Sequence, residues 1–119
     1  MHELAVTQGI LKICLDESKD KGFNKINEIR INVGELTGLI PSCIEYYFNI
    51  ISKDTVAEGA KIIVHKIPIE IKCKKCGFNG VIDKGQYTCS NCQSNNIEIV
   101  NGREFYVDSL EVDDGNKSG

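Results

Sequence analysis

The 119-residue chain has no tryptophan, only two prolines and two histidines, and no apolar run long enough to cross a bilayer. It begins Met1-His2-Glu3, without the basic and apolar regions of a signal peptide. Cysteines outside the secretory route are expected to be reduced or metal-bound, so the sequence predicts a cytoplasmic protein with no membrane association. The formal net charge of −3 argues against a dedicated nucleic-acid-binding protein.

The residue sets of common enzyme classes are also missing. There is no phosphate-binding loop, no serine–histidine–aspartate set and no catalytic-zinc pattern. His65 is the only histidine besides His2, and a packed or surface role is favoured for it because no second ligand pattern accompanies it. The sequence therefore predicts a protein that is not an enzyme.

Cysteine, by contrast, is abundant, with six residues. Cys73 and Cys76 form one Cys-x-x-Cys pair, and Cys89 and Cys92 form a second after a spacer of twelve residues. Two such pairs are typical of a closed four-thiolate zinc site. Paired disulfides would need an oxidising compartment and a redox motif would need only one pair, so the spacing favours structural Zn(II) held by these four residues.

The two remaining cysteines have no partner nearby in sequence. Cys14 lies among apolar residues of a predicted helix, which favours a buried core thiol. Cys43 lies in the first turn of another predicted helix, where the helix N-terminus can lower a thiol pKa. An ordinary, partly buried position is nevertheless favoured for Cys43.

Hydrophobic periodicity predicts two helices. The first covers residues 4–21, has a broad apolar face and ends with Gly22 as its C-cap. The second covers residues 42–52 and carries a core stripe at helical spacing. Ser42, with Glu45 three residues later, is typical of a capping box at its start.

Alternation of apolar and polar residues predicts a half-buried strand at 26–33. A second strand is predicted at 61–71, which Pro68 would bend, place at an edge or end. The spacer between the cysteine pairs is expected to turn near 83–85 and return as a short ribbon.

The Asn101-Gly102 dipeptide predicts a two-residue hairpin between strands at 96–100 and 103–107. Beyond Val107 the apolar positions change parity, which indicates a bulge or a change of packing environment.

These elements predict an α+β fold, with a small three-stranded sheet, two helices on one face and an inserted four-cysteine zinc-ribbon module. The predicted body comprises residues 1–68 and 103–112. Residues 69–102 form the zinc-binding module, and residues 113–119 form a disordered tail.

The first three residues are a candidate nickel site. The Met1 amine, the His2 amide nitrogen and the His2 imidazole can close a five-membered and a six-membered ring around one metal. Such a nitrogen-rich, near-planar set favours Ni(II) or Cu(II) over Zn(II), and Glu3 offers a further ligand. Taken alone the signal is weak, because a histidine at position two is also compatible with a frayed terminus.

Four features together resemble a known family. In chain order they are Met1-His2-Glu3 opening a helix, Val33-Gly34-Glu35-Leu36, Val56-Ala57-Glu58-Gly59-Ala60, and the paired cysteines. The combination is similar to the HypA/HybF family, the nickel-insertion accessory proteins (nickel metallochaperones) of nickel–iron hydrogenase maturation. Where some members carry an acidic residue after the first strand, this chain has Leu39-Ile40-Pro41.

The resemblance implies a nickel site at Met1, His2 and Glu3, with Ni(II) as transferred cargo. It implies structural zinc at Cys73, Cys76, Cys89 and Cys92. It also implies a nickel-handling GTPase (HypB-like) and the hydrogenase large subunit as partners, with urease maturation proteins as further candidates.

The main alternative is a zinc ribbon that binds nucleic acid or takes part in transcription. Residues 70–95 contain four lysines and two acidic residues, a local charge of 4 − 2 = +2. Interleaved aromatics that could stack on bases are limited to Phe78 and Tyr87, so this reading is the weaker one and no nucleic-acid partner is predicted.

Overall fold

The structure is a computed structural model that describes residues 3–113. Met1, His2 and residues 114–119 lie outside the described residues. The helices are α1 (Glu3–Lys21) and α2 (Pro41–Ile51), and a short 3₁₀ turn covers Glu35–Thr37. The strands are β1 (Lys25–Gly34), β2 (Lys61–Ile67), β3 (Ile69–Cys73), β4 (Asn79–Ile82), β5 (Ile97–Asn101) and β6 (Phe105–Asp113).

The six strands form two three-stranded sheets, in the orders β2-β1-β6 and β4-β3-β5. The predicted α+β class is therefore confirmed, and the second sheet leads into the cysteine pairs. The described residues divide into two compact units. The first unit comprises residues 3–31, 39–64 and 107–113, and the second comprises residues 32–38 and 65–106.

Helix α1 buries a narrow face of Thr7, Ile10 and Cys14, whose spacing of three and four residues matches one side of a helix. The broad apolar face predicted for this helix is wrong, because three of its large apolar residues are exposed: Leu4, Ile13 and Leu15. The Thr7 hydroxyl donates to the Leu4 carbonyl at 2.8 Å, so its burial leaves no unsatisfied polar group. The helix ends as predicted at Gly22, which has φ of +78° and donates its N–H to the Ser18 carbonyl.

Helix α2 begins differently from the prediction. Its N-cap is Ile40, no side chain caps it, and Pro41 occupies the first turn, so the capping box expected at Ser42 is wrong. Proline is favoured there because its φ is already helical and its missing N–H would have had no partner inside the helix. The Glu3 carboxylate accepts a hydrogen bond from the Ile40 N–H at 3.3 Å.

Pro68 separates what was predicted as one strand into β2 and β3, which belong to different sheets. Proline has no N–H to donate to a strand neighbour, so regular pairing ends there. The expectation that Pro68 could end the strand is confirmed, and the continuous strand at 61–71 is wrong.

The predicted hairpin at Asn101-Gly102 is also wrong. Strand β5 pairs with β3, whereas β6 neighbours β1. Gly102 has φ of +125°, donates its N–H to a Glu104 carboxylate oxygen at 2.7 Å, and accepts the Leu36 N–H at 2.8 Å. Gly102 thus adopts a positive φ in a connection between strands of two different sheets. A hairpin turn needs the same glycine conformation, so the local sequence cannot distinguish the two.

The second unit has its own small core. Strand β3 lies at the centre of its sheet, antiparallel to β4 and β5, with an irregular register between Glu70 and Ile71. Buried Ile69, Ile71 and Ile82 form the core, and four partly buried residues pack against it: Leu36, Phe78, Ile97 and Ile99. The four-residue strand β4 and the five-residue strands β3 and β5 are short, and this core contains only three buried residues.

Gly34 lies where two backbone segments of the second unit approach closely. Its N–H donates to the Glu104 carbonyl at 2.7 Å. A Cβ atom on Gly34 would overlap the Gly102 carbonyl group and lie 2.8 Å from the Arg103 nitrogen. Because those neighbours are backbone atoms held by hydrogen bonds, they cannot yield as a flexible side chain would.

We predict that Gly34→Ala lowers the free energy of unfolding by about 1–3 kcal/mol through this overlap. The matched control is Gly9→Ala in the exposed part of α1, where an added Cβ meets nothing within 4 Å. That change should raise stability by about 0.5–1 kcal/mol, because alanine favours a helix over glycine. Chemical denaturation of both variants measures this, and equal effects of the two substitutions would contradict the steric account.

Candidate metal centre

The four sulfur atoms of Cys73, Cys76, Cys89 and Cys92 lie within 4.8 Å of one another. The Cys73–Cys92 and Cys76–Cys89 sulfur pairs are each separated by 3.7 Å. A disulfide requires about 2.05 Å, so these thiols are not bonded to one another. Four thiolates around one Zn(II) at about 2.3 Å would have sulfurs about 3.8 Å apart, so the two closest pairs fit the edges of such a tetrahedron.

The first Cys-x-x-Cys turn positions two of these sulfurs. Strand β3 ends at Cys73, whose sulfur accepts the backbone N–H groups of Lys75 at 3.3 Å and Cys76 at 3.4 Å. The Cys73 N–H donates to the Phe78 carbonyl at 2.8 Å, and Gly77 donates back to the Cys73 carbonyl at 3.0 Å. Gly77 closes the turn with φ of +81°. The backbone thus holds the sulfur with fixed N–H dipoles.

The second turn repeats this arrangement. Cys89 Sγ accepts the N–H groups of Asn91 at 3.3 Å and Cys92 at 3.4 Å. The Cys89 N–H donates to the Ser94 carbonyl at 2.8 Å, and Gln93 donates to the Cys89 carbonyl at 2.8 Å. Gln93 takes the place of Gly77 and also has a positive φ, +61°. The second turn therefore has the same hydrogen bonds as the first, but it holds a glutamine in a conformation that residues other than glycine rarely adopt.

The surroundings of the sulfurs give them different proton affinities. The backbone N–H groups of Cys76 and Lys75 lower the pKa of Cys73. The Asn91 side-chain amide, which donates to Cys76 Sγ at 3.5 Å, and the Phe78 backbone lower the pKa of Cys76 to about 6.

The Cys92 thiol behaves oppositely. The Ser94 backbone lowers its pKa, but burial and the three neighbouring sulfurs outweigh this and raise it to about 11. The sulfurs therefore do not ionise independently, because the thiolate is favoured at Cys76 and the proton is favoured at Cys92. A bound cation would favour the thiolate form of all four, so metal binding displaces protons.

The spacer between the two pairs forms less structure than expected. Its outgoing leg is β4, which pairs with β3, and a turn follows in which Gln86 donates to the Asp83 carbonyl at 3.0 Å. The predicted turn is confirmed by Gly85, with φ of +92°. The predicted return strand is wrong, since residues 86–88 are not a strand.

Asn91 is a site residue that sequence reasoning missed. Its side-chain amide reaches across from the second turn to Cys76 of the first. Nothing in the spacing of the cysteines distinguishes Asn91 from Ser90, because the contact depends on how the two turns face each other.

The remaining candidate residues are separate from this cluster. Cys14 is fully buried, and burial raises the pKa of its thiol to about 11, which makes it unreactive. Cys43 is partly buried in the first turn of α2, and His65 is exposed on β2. Within residues 3–113, the four clustered cysteines are the one group of three or more histidine, cysteine or acidic side chains placed to hold a metal.

Of the predicted nickel ligands, Met1 and His2 lie outside the described residues. Glu3 is the first residue of α1, and its carboxylate is the group that accepts the Ile40 N–H. The start of α1 therefore lies beside the N-cap of α2.

The fold and these residues define a small α+β protein with a four-cysteine metal-binding module. Residues 1–112 match the family described as "Hydrogenase/urease nickel incorporation, metallochaperone, hypA". The chain therefore belongs to the HypA family of nickel-incorporation metallochaperones. Neither described helix is long and apolar enough to cross a membrane.

Relatives and solved structures agree with this assignment. The chain is 35% identical over 118 residues to "Hydrogenase maturation factor HypA" from Dehalococcoides mccartyi strain 195, covering 99% of each chain. The factor of the same name from Caldanaerobacter subterraneus is 34% identical, over 95% of this chain and 100% of that one. The solution structure of the nickel metallochaperone HypA from Helicobacter pylori has a TM-score of 0.66 and 25% identity, covering 94% of this chain and 97% of the other.

The two turns allow an internal comparison of backbone strain. We predict that Gln93→Gly raises the stability of the metal-loaded protein by about 0.5–1 kcal/mol, because glycine relieves the positive φ. Gly77→Ala should lower stability by about 1 kcal/mol for the same reason, although its Cβ has open space. Denaturant unfolding of the two variants measures this, and a change of the same sign in both would contradict it.

Proposed function

We propose that the chain binds Ni(II) at its N-terminus and delivers it during hydrogenase maturation, while a structural Zn(II) is held by Cys73, Cys76, Cys89 and Cys92. The observation that carries this proposal is the family match, which begins at residue 1 and so includes the candidate ligands Met1, His2 and Glu3. Family membership supports a metallochaperone rather than a catalytic enzyme.

Nickel would be held by the Met1 amine, the His2 amide nitrogen and the His2 imidazole, because these atoms close two small chelate rings in a geometry that Ni(II) favours. Glu3, the next residue after these ligands, is held by the hydrogen bond that its carboxylate accepts from the Ile40 N–H. An N-terminal set of ligands also suits a carrier, since a partner can attack an open coordination edge and remove the cargo.

Zinc fits the other site because four thiolates give it a closed tetrahedral shell with no position for substrate. When bound, it supplies the cross-link between the two cysteine turns. The chain's own residues orient the sulfur ligands: backbone N–H groups orient Cys73 and Cys89, and Asn91 orients Cys76. The two sites share no residue, so nickel can be exchanged without loss of the fold.

The partners that follow from this role are a nickel-handling GTPase (HypB-like), the hydrogenase large subunit and, for a urease client, urease maturation proteins. The phrase "hydrogenase/urease nickel incorporation" in the family description supports both client types. We place the protein in the cytoplasm, where reduced thiols remain available for metal.

We predict that nickel binding depends on the position of His2 as well as on its presence. His2→Ala should abolish tight binding, and a Gly-Ser extension before Met1 should weaken it severely, because the amine becomes an amide. Binding should also weaken in acid, because protons compete for the same nitrogens. Isothermal titration with Ni(II) on protein with its native N-terminus measures each of these effects.

The matched control is His65→Ala, which removes the other histidine, exposed on β2, and should leave nickel affinity unchanged. Zinc content should be the same in all these variants. Equal nickel affinity with and without the extension would refute the N-terminal chelate.

We further predict that the purified protein carries one zinc per chain and that the second unit needs it to fold, because the apolar core of that unit is small. Replacement of Cys76 by serine should reduce zinc content and disorder residues 65–106, whereas Cys14→Ser should keep the zinc. Metal analysis and amide NMR spectra report both effects. Unchanged spectra after complete chelation would contradict the structural role.

A further inference from the structure

A groove of about 330 Å³ lies between α1 and β6 in the first unit. Its walls are largely apolar and include Ile13, Phe23, Val107, Leu110 and Val112. Ile13 is 43% exposed, although it is a large aliphatic residue on a helix. Apolar surface that stays open in this way is a common feature of binding sites.

The groove runs along the backbone of a strand rather than over one face of a sheet. Four consecutive residues line it, Val107 to Leu110, and consecutive side chains of a strand point to opposite faces. Among the described strands, β6 has β1 on one side and no neighbour on the other. An edge strand of this kind presents backbone N–H and C=O groups that can pair with an added strand.

The charges around the groove restrict what can bind there. Strand β6 contains three acidic residues, Asp108, Glu111 and Asp113, and no basic residue. Glu111 lies 3.5 Å from Arg30 of β1, but that arginine also pairs with Glu28 at 2.6 Å, so the pairing offsets the charge of Glu111 only in part. Asp108 is exposed and lines the groove. Lys21, the basic residue of the wall, is already paired with Glu17 at 3.2 Å. The site therefore favours a positively charged occupant.

A second copy of this chain does not meet this requirement. Antiparallel pairing of two β6 strands, centred on the groove between Ser109 and Leu110, would place Asp108 of one copy opposite Glu111 of the other. Arg30 balances Glu111 only in part, because it is shared with Glu28. Like charges directly opposite one another in a sheet are destabilising. The same acidic edge therefore disfavours self-association and favours a different partner.

We propose that the edge of β6 and this groove bind an extended segment of a partner protein, about six residues long, in which aliphatic side chains alternate with lysine or arginine. The segment would add a strand beside Val107–Val112. Its aliphatic side chains would enter the groove against Ile13 and Val107, and its basic side chains would face Asp108 on the other side of the strand. Neither metal site takes part, so this surface can work whether or not nickel is bound.

The test uses the full-length, metal-loaded protein and an eight-residue peptide of alternating lysine and valine, with alternating glutamate and valine as the control peptide. We expect the lysine peptide to slow amide hydrogen exchange in residues 107–112 and the glutamate peptide to have no effect. Asp108→Lys should lower the affinity for the lysine peptide about five- to tenfold, since one attractive cross-strand pair becomes repulsive. Ile13→Ala should also weaken binding of the lysine peptide, because it removes apolar surface from the wall of the groove.

The control variant is Asp83→Lys, which makes the same charge change in a turn of the second unit and should leave peptide affinity unchanged. Equal binding of the two peptides, no slowing of exchange in β6, or equal effects of Asp108→Lys and Asp83→Lys would overturn the proposal. A concentration-dependent dimer with protected β6 amides, seen by sedimentation without peptide, would assign this edge to a second copy and would also overturn it.

Discussion

The convergence of four cysteine sulfurs within 4.8 Å is the constraint on which the second unit depends. The two turns that carry them start from different places, since Cys73 ends a central strand and Cys89 follows a spacer with little regular structure. The three isoleucines of the core anchor β3 and β4, but they do not extend to Ser90, Asn91 or Cys92. A cation shared by the four thiolates would join the two turns, and it would also favour the thiolate of Cys92, whose pKa is raised by burial and by the neighbouring sulfurs.

The predictions from sequence were most accurate for features whose physical cause is local. The alternation of apolar residues in β1 reflects which side of the strand is buried, and the structure buries Ile29, Ile31 and Val33. In α1 the buried position predicted for Cys14 is confirmed, whereas the apolar face of that helix is narrower than predicted. Gly22 follows α1 in the left-handed conformation expected of a C-cap. The paired Cys-x-x-Cys spacing was equally informative, because each turn needs only its own backbone hydrogen bonds to place two sulfurs together.

Prediction failed where distant parts of the chain decide the outcome. Asn101-Gly102 has the composition of a hairpin turn, but β3 takes β5 as its partner, so the dipeptide became a link between sheets. Ser42 has the composition of an N-cap, but Pro41 had already begun the helix. The Val33-Gly34-Glu35-Leu36 motif, which carried the family resemblance, also has a structural explanation, since Gly34 permits close contact with Gly102 and Leu36 packs against the core of the second unit.

The central claim is that this chain keeps a resident metal and a transported metal in two sites with no shared ligand. X-ray absorption spectroscopy at the zinc and nickel edges, on one sample loaded with both metals, tests it most directly. The account predicts four sulfur neighbours at about 2.3 Å around zinc and only nitrogen or oxygen neighbours around nickel. Sulfur in the nickel shell, or loss of zinc–sulfur scattering when nickel is added, would show that nickel binds at the cysteines and would contradict it.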